Sequence, residues 1–254
     1  MKSFALQAGG SRLLYHDIPG DGRPLIMLHG LGCASSCDYP RLASDPALAG
    51  RRMILLDLLG SGFSDRPAGF GYTIEDHART VAELATHLAP DSVDLYGHSM
   101  GGSVAIVAAT LLGDRVRHLV MGEPNLDPGG GTFSRKVAAI PEADYVAHGH
   151  GDRVKAARTE GNSIWAASMS ISAPYAVHRS ATSLVVGGAP TWRELLYAMK
   201  MPRTIIFGEA SLPEPDTERL PQQGVGVRVV SQAGHGMTVE NPGGVASALR
   251  AALH

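Results

Sequence analysis

Short apolar runs alternate along this chain with stretches whose apolar residues recur every three or four positions. The runs at 25–28 (Leu-Ile-Met-Leu), 53–56 (Met-Ile-Leu-Leu), 93–96 (Val-Asp-Leu-Tyr), 118–121 (His-Leu-Val-Met) and 204–207 (Thr-Ile-Ile-Phe) each lead into a turn. Most are nearly continuous in apolarity, as expected of strands covered on both faces. A further run at 225–230 alternates and turns before His235. Helical patterns lie between them. Thr73 and Asp76 form a capping-box-like T-x-x-D, and Ile74, Ala78, Val81, Leu84, Ala85 and Leu88 share one face. Pro90 is expected to stop that helix. A helix of small residues is predicted over 99–112, with Gly113 just past its end, and a closing helix over 245–253. Strands separated by helices imply βαβ units, hence an α/β fold with a mostly parallel sheet flanked by helices.

The rhythm breaks between residues 127 and 200, which hold helical patterns, no convincing strand and both tryptophans, Trp165 and Trp192. Strand patterns resume at Thr204, so this stretch reads as a helical cap inserted into a core made of residues 1–126 and 201–254. A length of 254 residues suits one large core carrying such an insertion.

Composition narrows the partners. A net charge of −2 provides no basic field for phosphate backbones or anionic lipid, so nucleic-acid binding is not expected. The longest strongly apolar stretch, 104–112, is far short of the roughly 18 residues that cross a bilayer. The first residues, MKSFALQAGG, lack the apolar segment of a signal peptide. Cys33 and Cys37, the two cysteines, make neither a disulfide framework nor a full zinc ligand set. A reduced thiol pair in a cytoplasmic protein is the expectation.

The chemistry concentrates in Gly97-His98-Ser99-Met100-Gly101, where a strand runs straight into the small-residue helix. The pattern G-x-S-x-G is weak alone, but this context makes it specific. A serine on such a turn takes strained backbone angles, and glycines two residues either side let strand and helix approach closely. Its hydroxyl then stands at the positive end of a helix, which suits a developing anion.

Here the sequence resembles the α/β-hydrolase superfamily over nearly its whole length. His29-Gly30-Leu31-Gly32 is similar to the family's H-G-x motif, and Asp57-Leu58-Leu59-Gly60-Ser61-Gly62-Phe63-Ser64 to its D-x-x-G-x-G-x-S segment. The elbow around Ser99 and Gly234-His235-Gly236 complete the four motifs in order. The resemblance implies an α/β-hydrolase fold, Ser99 as nucleophile and His235 as general base, since a serine hydroxyl needs an imidazole to take its proton. It also implies an oxyanion hole from the backbone N–H groups of Met100 and of the 29–32 loop, there from Leu31. His29 is expected to stabilise that loop. His148 and His150, in His-Gly-His, are too few ligands for a metal and read as a solvated cap loop.

The acid departs from the commonest arrangement. G-x-x-D would follow the strand at 204–207, but the chain has Gly208-Glu209-Ala210-Ser211. Glu123, in Gly122-Glu123-Pro124-Asn125 after the preceding strand, is the leading assignment; Glu209, and then Glu214 or Asp216, are the alternatives. Some members of the superfamily carry the acid at that strand end, haloalkane dehalogenases and zearalenone-type lactone hydrolases among them. Dehalogenases and epoxide hydrolases, however, need a carboxylate nucleophile, which Ser99 cannot replace. Serine favours acyl transfer on an ester or lactone, with amide or C–C bond hydrolysis, or a non-catalytic ligand receptor, as alternatives. The cap residues Phe133, Tyr145, Trp165, Met169, Tyr175, Trp192 and Met199 suggest a pocket for a small hydrophobic substrate, with Gly30, Trp165 and Trp192 as candidate contacts. Cys33 and Cys37 lie just after the oxyanion loop, but a catalytic role for them is not expected. No cofactor is expected either: Gly60-Ser61-Gly62 lacks the spacing of a dinucleotide fingerprint, and no metal site is evident. Oligomeric state leaves no readable mark in the sequence.

Overall fold

The apolar runs become the centre of an eight-stranded sheet of order β1-β2-β4-β3-β5-β6-β7-β8. A computed structural model describes residues 1–89 and 91–253. The strands are β1 (Lys2–Ala5), β2 (Arg12–Ile18), β3 (Asp21–Leu28), β4 (Arg51–Asp57), β5 (Val93–His98), β6 (Val116–Gly122), β7 (Arg203–Gly208) and β8 (Gly226–Val230). From β4 across to β8 every neighbouring pair is parallel. The architecture is that of an α/β hydrolase, as the sequence motifs imply.

Continuous apolarity in the central strands follows from two covered faces. Along β3, Ile26 and Leu28 enter a core under the helices Ile74–Leu88 and Met100–Leu112, whereas Leu25 and Met27 face Pro242–Ala252 on the other side. The helix Ile74–Leu88 starts where expected: the Thr73 side chain accepts the Asp76 N–H at 3.0 Å, and Asp76 reaches back to the Thr73 N–H at 3.4 Å. Pro90, its expected stop, lies outside the described residues. The small-residue helix begins at Met100, with Ser99 as its N-cap and Gly113, at φ 58°, closing its end.

β1 and β2 are absent from the sequence reading. They form an antiparallel edge, β1 with β2 and β2 with β4. Only Leu13 and Tyr15 of β2 are buried, so the strand carries half the apolar signal of a central one.

Between β6 and β7 the described residues hold helices and no strand. The longer ones are Thr132–Ala138, His150–Thr159, Ser163–Ser170, Pro174–Val186 and Trp192–Ala198. They are stitched to the rest by polar bonds: Arg179 donates to the carbonyls of Ala68 and Phe70, Ser180 to that of Tyr72, and Arg66 to that of Ile171.

The helix Met100–Leu112 begins tightly packed against the end of β3. A Cβ on Gly101 would lie 2.6 Å from the His29 carbonyl oxygen, a backbone atom that cannot swing away. Gly101→Ala should therefore destabilise the fold by about 1–3 kcal/mol, the usual penalty of overpacking. Urea denaturation checks this; an unchanged midpoint would show that the junction yields freely.

Candidate active site

Ser99 stands at the end of β5 with φ 53° and ψ −122°, a conformation that L-residues rarely adopt. Its N–H donates to the Gly122 carbonyl of the neighbouring strand at 2.7 Å, and its own carbonyl accepts the Gly102 N–H at 2.8 Å. The turn is thus held from both sides. Its hydroxyl lies 3.1 Å from His235 Nε2, and His235 Nδ1 lies 2.7 Å from Glu123 Oε2. With Glu123 ionised, Nδ1 carries the proton and Nε2 accepts from the serine.

Glu123 follows directly on β6 and also has a positive φ, 40°. Its N–H donates to Ile206 and its second carboxylate oxygen accepts the Gly208 N–H at 2.8 Å, so it is tied to β7 through main chain and side chain. Burial alone would raise its pKa. The bonds from His235, Gly208 and the Ser211 hydroxyl outweigh that and hold the carboxyl below its ordinary 4.5. The alternatives are engaged elsewhere: Glu209 accepts the Gln232 N–H, Glu214 accepts the Asp216 N–H, and Asp216 pairs with Arg193. Ser211, the residue in the commoner acid position, lies close enough to the acid one strand away to favour its ionised form.

The loop after β3 lies against the elbow. A Cβ on Gly30 would come within 3.4 Å of Ser99 Cβ. Among the described residues, neither the Leu31 nor the Met100 N–H donates to another backbone carbonyl. His29 is fully buried; its Nε2 accepts the Leu58 N–H at 3.1 Å, so Nδ1 carries the proton and donates to the Gly30 carbonyl at 2.8 Å. Asp57, 1% exposed, accepts bonds from the Ser36 N–H and hydroxyl and from the Phe63 N–H, sewing the two flanking loops together. Cys33 and Cys37 are unpaired and half-buried; burial, helped by Asp38, pushes the Cys33 thiol up, which disfavours a nucleophilic thiolate.

The expectations for Trp192 and for the His148–His150 segment change, and Trp165 takes on a further contact. Trp192 does not line a pocket: it is 1% exposed and gives its indole N–H to Glu75 at 3.3 Å, joining the helix Trp192–Ala198 to the helix Ile74–Leu88. Trp165 is half-buried and donates to the Leu31 carbonyl at 3.2 Å, bracing the loop that lies against the elbow. His148 and His150 lie in helical backbone rather than in a solvated loop, and His150 is buried, bonded to the Met169 carbonyl at 2.9 Å. A cavity of about 590 Å³ reaches His235 and Glu123, but Asn125, Asp127, Arg193 and Ser211 line it alongside Leu126 and Phe207. Its walls are more polar than the aromatic content of the cap suggests.

The comparisons agree with this architecture. A family model for the alpha/beta hydrolase fold matches residues 23–169. The chain belongs to this family. The alpha/beta hydrolase chain is 37% identical over 114 residues to haloalkane dehalogenase 2 of Mycobacterium tuberculosis, a match covering 44% of this chain and 38% of that protein. The match thus spans well under half the length of that curated relative. Among solved structures, an esterase from Exiguobacterium antarcticum superposes with a TM-score of 0.81 at 22% identity, covering 99% of this chain and 98% of that one. The enol-lactonase from Burkholderia xenovorans LB400 gives 0.80 at 19% identity, covering 99% of both chains. At such identities the likeness is one of fold.

The lowered carboxyl of Glu123 has a thermodynamic counterpart. Its folded value lies below the unfolded one, so its stabilising contribution is complete above pH 4.5 and is lost as pH falls through the folded value. The difference in urea midpoint between the wild type and Glu123→Gln should therefore shrink on acidification below pH 4.5. A gap unchanged down to about pH 2 would contradict the lowered value.

Proposed function

We propose that this protein is a serine hydrolase that cleaves a carboxylic ester or lactone through an acyl-enzyme. The observation that carries the reading is the continuous chain Ser99 Oγ–His235–Glu123, at 3.1 and 2.7 Å, beside the N-terminus of the helix Met100–Leu112. Ser99 attacks the carbonyl carbon as His235 Nε2 takes its proton. Glu123 holds the imidazole in the required tautomer and stabilises the imidazolium that forms. The N–H groups of Leu31 and Met100 receive the oxyanion, and His235 then returns the proton to the leaving alcohol. Water, activated by the same imidazole, attacks the acyl-enzyme and releases the acid. In a lactone the leaving alcohol stays attached, and the product is a hydroxy acid.

Residues 127–200 act in this reading as a cap over the strand ends, with the acyl side bordered by Gly30 and by Trp165 through its hold on Leu31. Small esters and lactones are the substrates in this reading, with polar groups on the substrate met by Asn125, Asp127, Arg193 and Ser211 along the cavity. The partial relationship to a haloalkane dehalogenase does not extend to its chemistry, because a serine alkyl ether would not be hydrolysed as a carboxylate ester is. No cofactor enters any step, and neither nucleic acid nor membrane is a partner in this reading.

A fluorophosphonate probe should label Ser99 in the folded protein, located by mass mapping of its peptide. Ser99→Ala and His235→Ala should each lower kcat on p-nitrophenyl esters by about 10⁴-fold or more, and Glu123→Gln by about 10³- to 10⁴-fold. Near-normal turnover in Glu123→Gln with loss in Glu209→Gln would move the acid to Glu209. Absence of labelling and of turnover, together with tight ligand binding, would replace the enzyme by a receptor.

A further inference from the structure

The residue between Gly97 and the nucleophile is a histidine whose ring is turned away from Ser99 and under the base. We infer that His98 is a positioning residue for His235: its Nε2–H donates to the His235 main-chain carbonyl at 2.8 Å and fixes where the general base stands. The inference rests on His235 being the general base, as proposed above.

The geometry makes this bond consequential. The His235 side chain is 58% exposed, and it sits on a loop rather than on a strand or helix. That loop is anchored after β7, where the Ala210 N–H donates to Ala233 at 2.8 Å, and at the turn that follows it, where the Gly234 N–H donates to Glu240 at 2.6 Å. His98 supplies an anchor from the nucleophile's side, at His235 itself. It runs from the end of β5 past the ends of β6 and β7, linking the elbow directly to the base. The two rings lie 4.8 Å apart at 46°, so the His98 ring also forms part of the floor on which His235 rests.

His98 makes this bond without placing a charge beside the base. It is 8% exposed, and burial, reinforced by the neighbouring His235, pushes its pKa down to about 3. A neutral imidazole has one N–H, and the carbonyl acceptor fixes it on Nε2, leaving Nδ1 facing Gly30. Lysine or arginine could donate equally well, but would set a second cation against the imidazolium that forms on His235. Gly122 makes the room: a Cβ there would lie 2.9 Å from His98 Cδ2 and 3.1 Å from Tyr96 Oη.

The test uses full-length protein, p-nitrophenyl acetate and histidine-selective ¹⁵N NMR. His98→Phe keeps a ring and removes the donor; kcat should fall about ten- to a hundredfold with KM within about twofold, as expected for a misplaced catalytic group. His98→Gln, whose amide nitrogen can donate from a similar reach, should recover most of the loss. A His98→Phe kcat within about twofold of wild type, or a Gln variant as impaired as the Phe variant, overturns the inference. Should the Phe variant not fold, the wild type decides: His98 should appear as the neutral Nε2–H tautomer throughout about pH 5–9. A titrating ring or an Nδ1–H tautomer overturns it equally. Ser99→Ala, run alongside, separates the two levels. Turnover persisting there overturns the serine-hydrolase reading, whereas its loss beside a silent His98→Phe overturns only the role of His98.

Discussion

The close packing of the start of the helix Met100–Leu112 against the ends of β3, β5 and β6 is the constraint on which the site depends. Gly97, Gly101 and Gly102 have no room for a side chain: added Cβ atoms would meet the Gly102 nitrogen at 2.7 Å, the His29 carbonyl at 2.6 Å and Pro124 Cβ at 2.6 Å, respectively. Because the backbones come so near, the chain must reverse within a single residue, and Ser99 takes the strained angles that result. Such a conformation costs of order 1–3 kcal/mol and persists only where its surroundings over-determine it. Here the surroundings are the bond to Gly122 and a helix buried along most of its length. The strain leaves the hydroxyl off the sheet, at a helix end whose dipole favours an anion.

The acid obeys the same logic of strand ends. Parallel strands terminate together, so residues just past β5, β6 and β7 converge on one edge, and a carboxylate from either β6 or β7 can reach the histidine loop. The geometry here puts Glu123 of β6 against the imidazole and Ser211, after β7, against Glu123. The two positions have exchanged chemistry: one holds the charge, and the other a donor that stabilises it. Glu123 carries a positive φ because its side chain must turn back across β7 while its N–H stays in the ladder with Ile206.

The central strands, both long core helices and the order of the four motifs were legible because each rests on a strong local signal. Runs buried on both faces are apolar at every position, and Thr73 with Asp76 caps a helix wherever the two occur with that spacing. β1 and β2 gave little to read, since an antiparallel edge with one buried face asks only Leu13 and Tyr15 to be apolar and inward. Trp192 was misassigned for a related reason. Aromatic residues in a cap serve equally as pocket walls and as packing, and only the position of Glu75, distant in sequence, decides between them. The bond of His98 to the loop that bears His235 follows from sheet order, which no local pattern carries.

The helices between β6 and β7 reach the reaction centre through the oxyanion loop more than through any wall of side chains. Trp165 holds the Leu31 carbonyl, and the Met169 sulfur fills the space where Gly32 would otherwise bear a side chain. Ser168 lies 3.2 Å from Asp38, just beyond that loop, while His150 fixes the Met169 carbonyl from the preceding helix. In the proposed reading the residue whose N–H would receive the developing oxyanion, Leu31, is therefore held at its own carbonyl by the segment between β6 and β7, one peptide beyond the donor. Displacement of the helix Ser163–Ser170 on substrate entry would move Leu31 as well, by way of the Trp165 bond. In the proposed reaction, substrate fit and oxyanion geometry would thereby be coupled: a poorly seated acyl group would cost binding and also leave the donor misaligned, so selectivity would fall on the chemical step as well as on affinity.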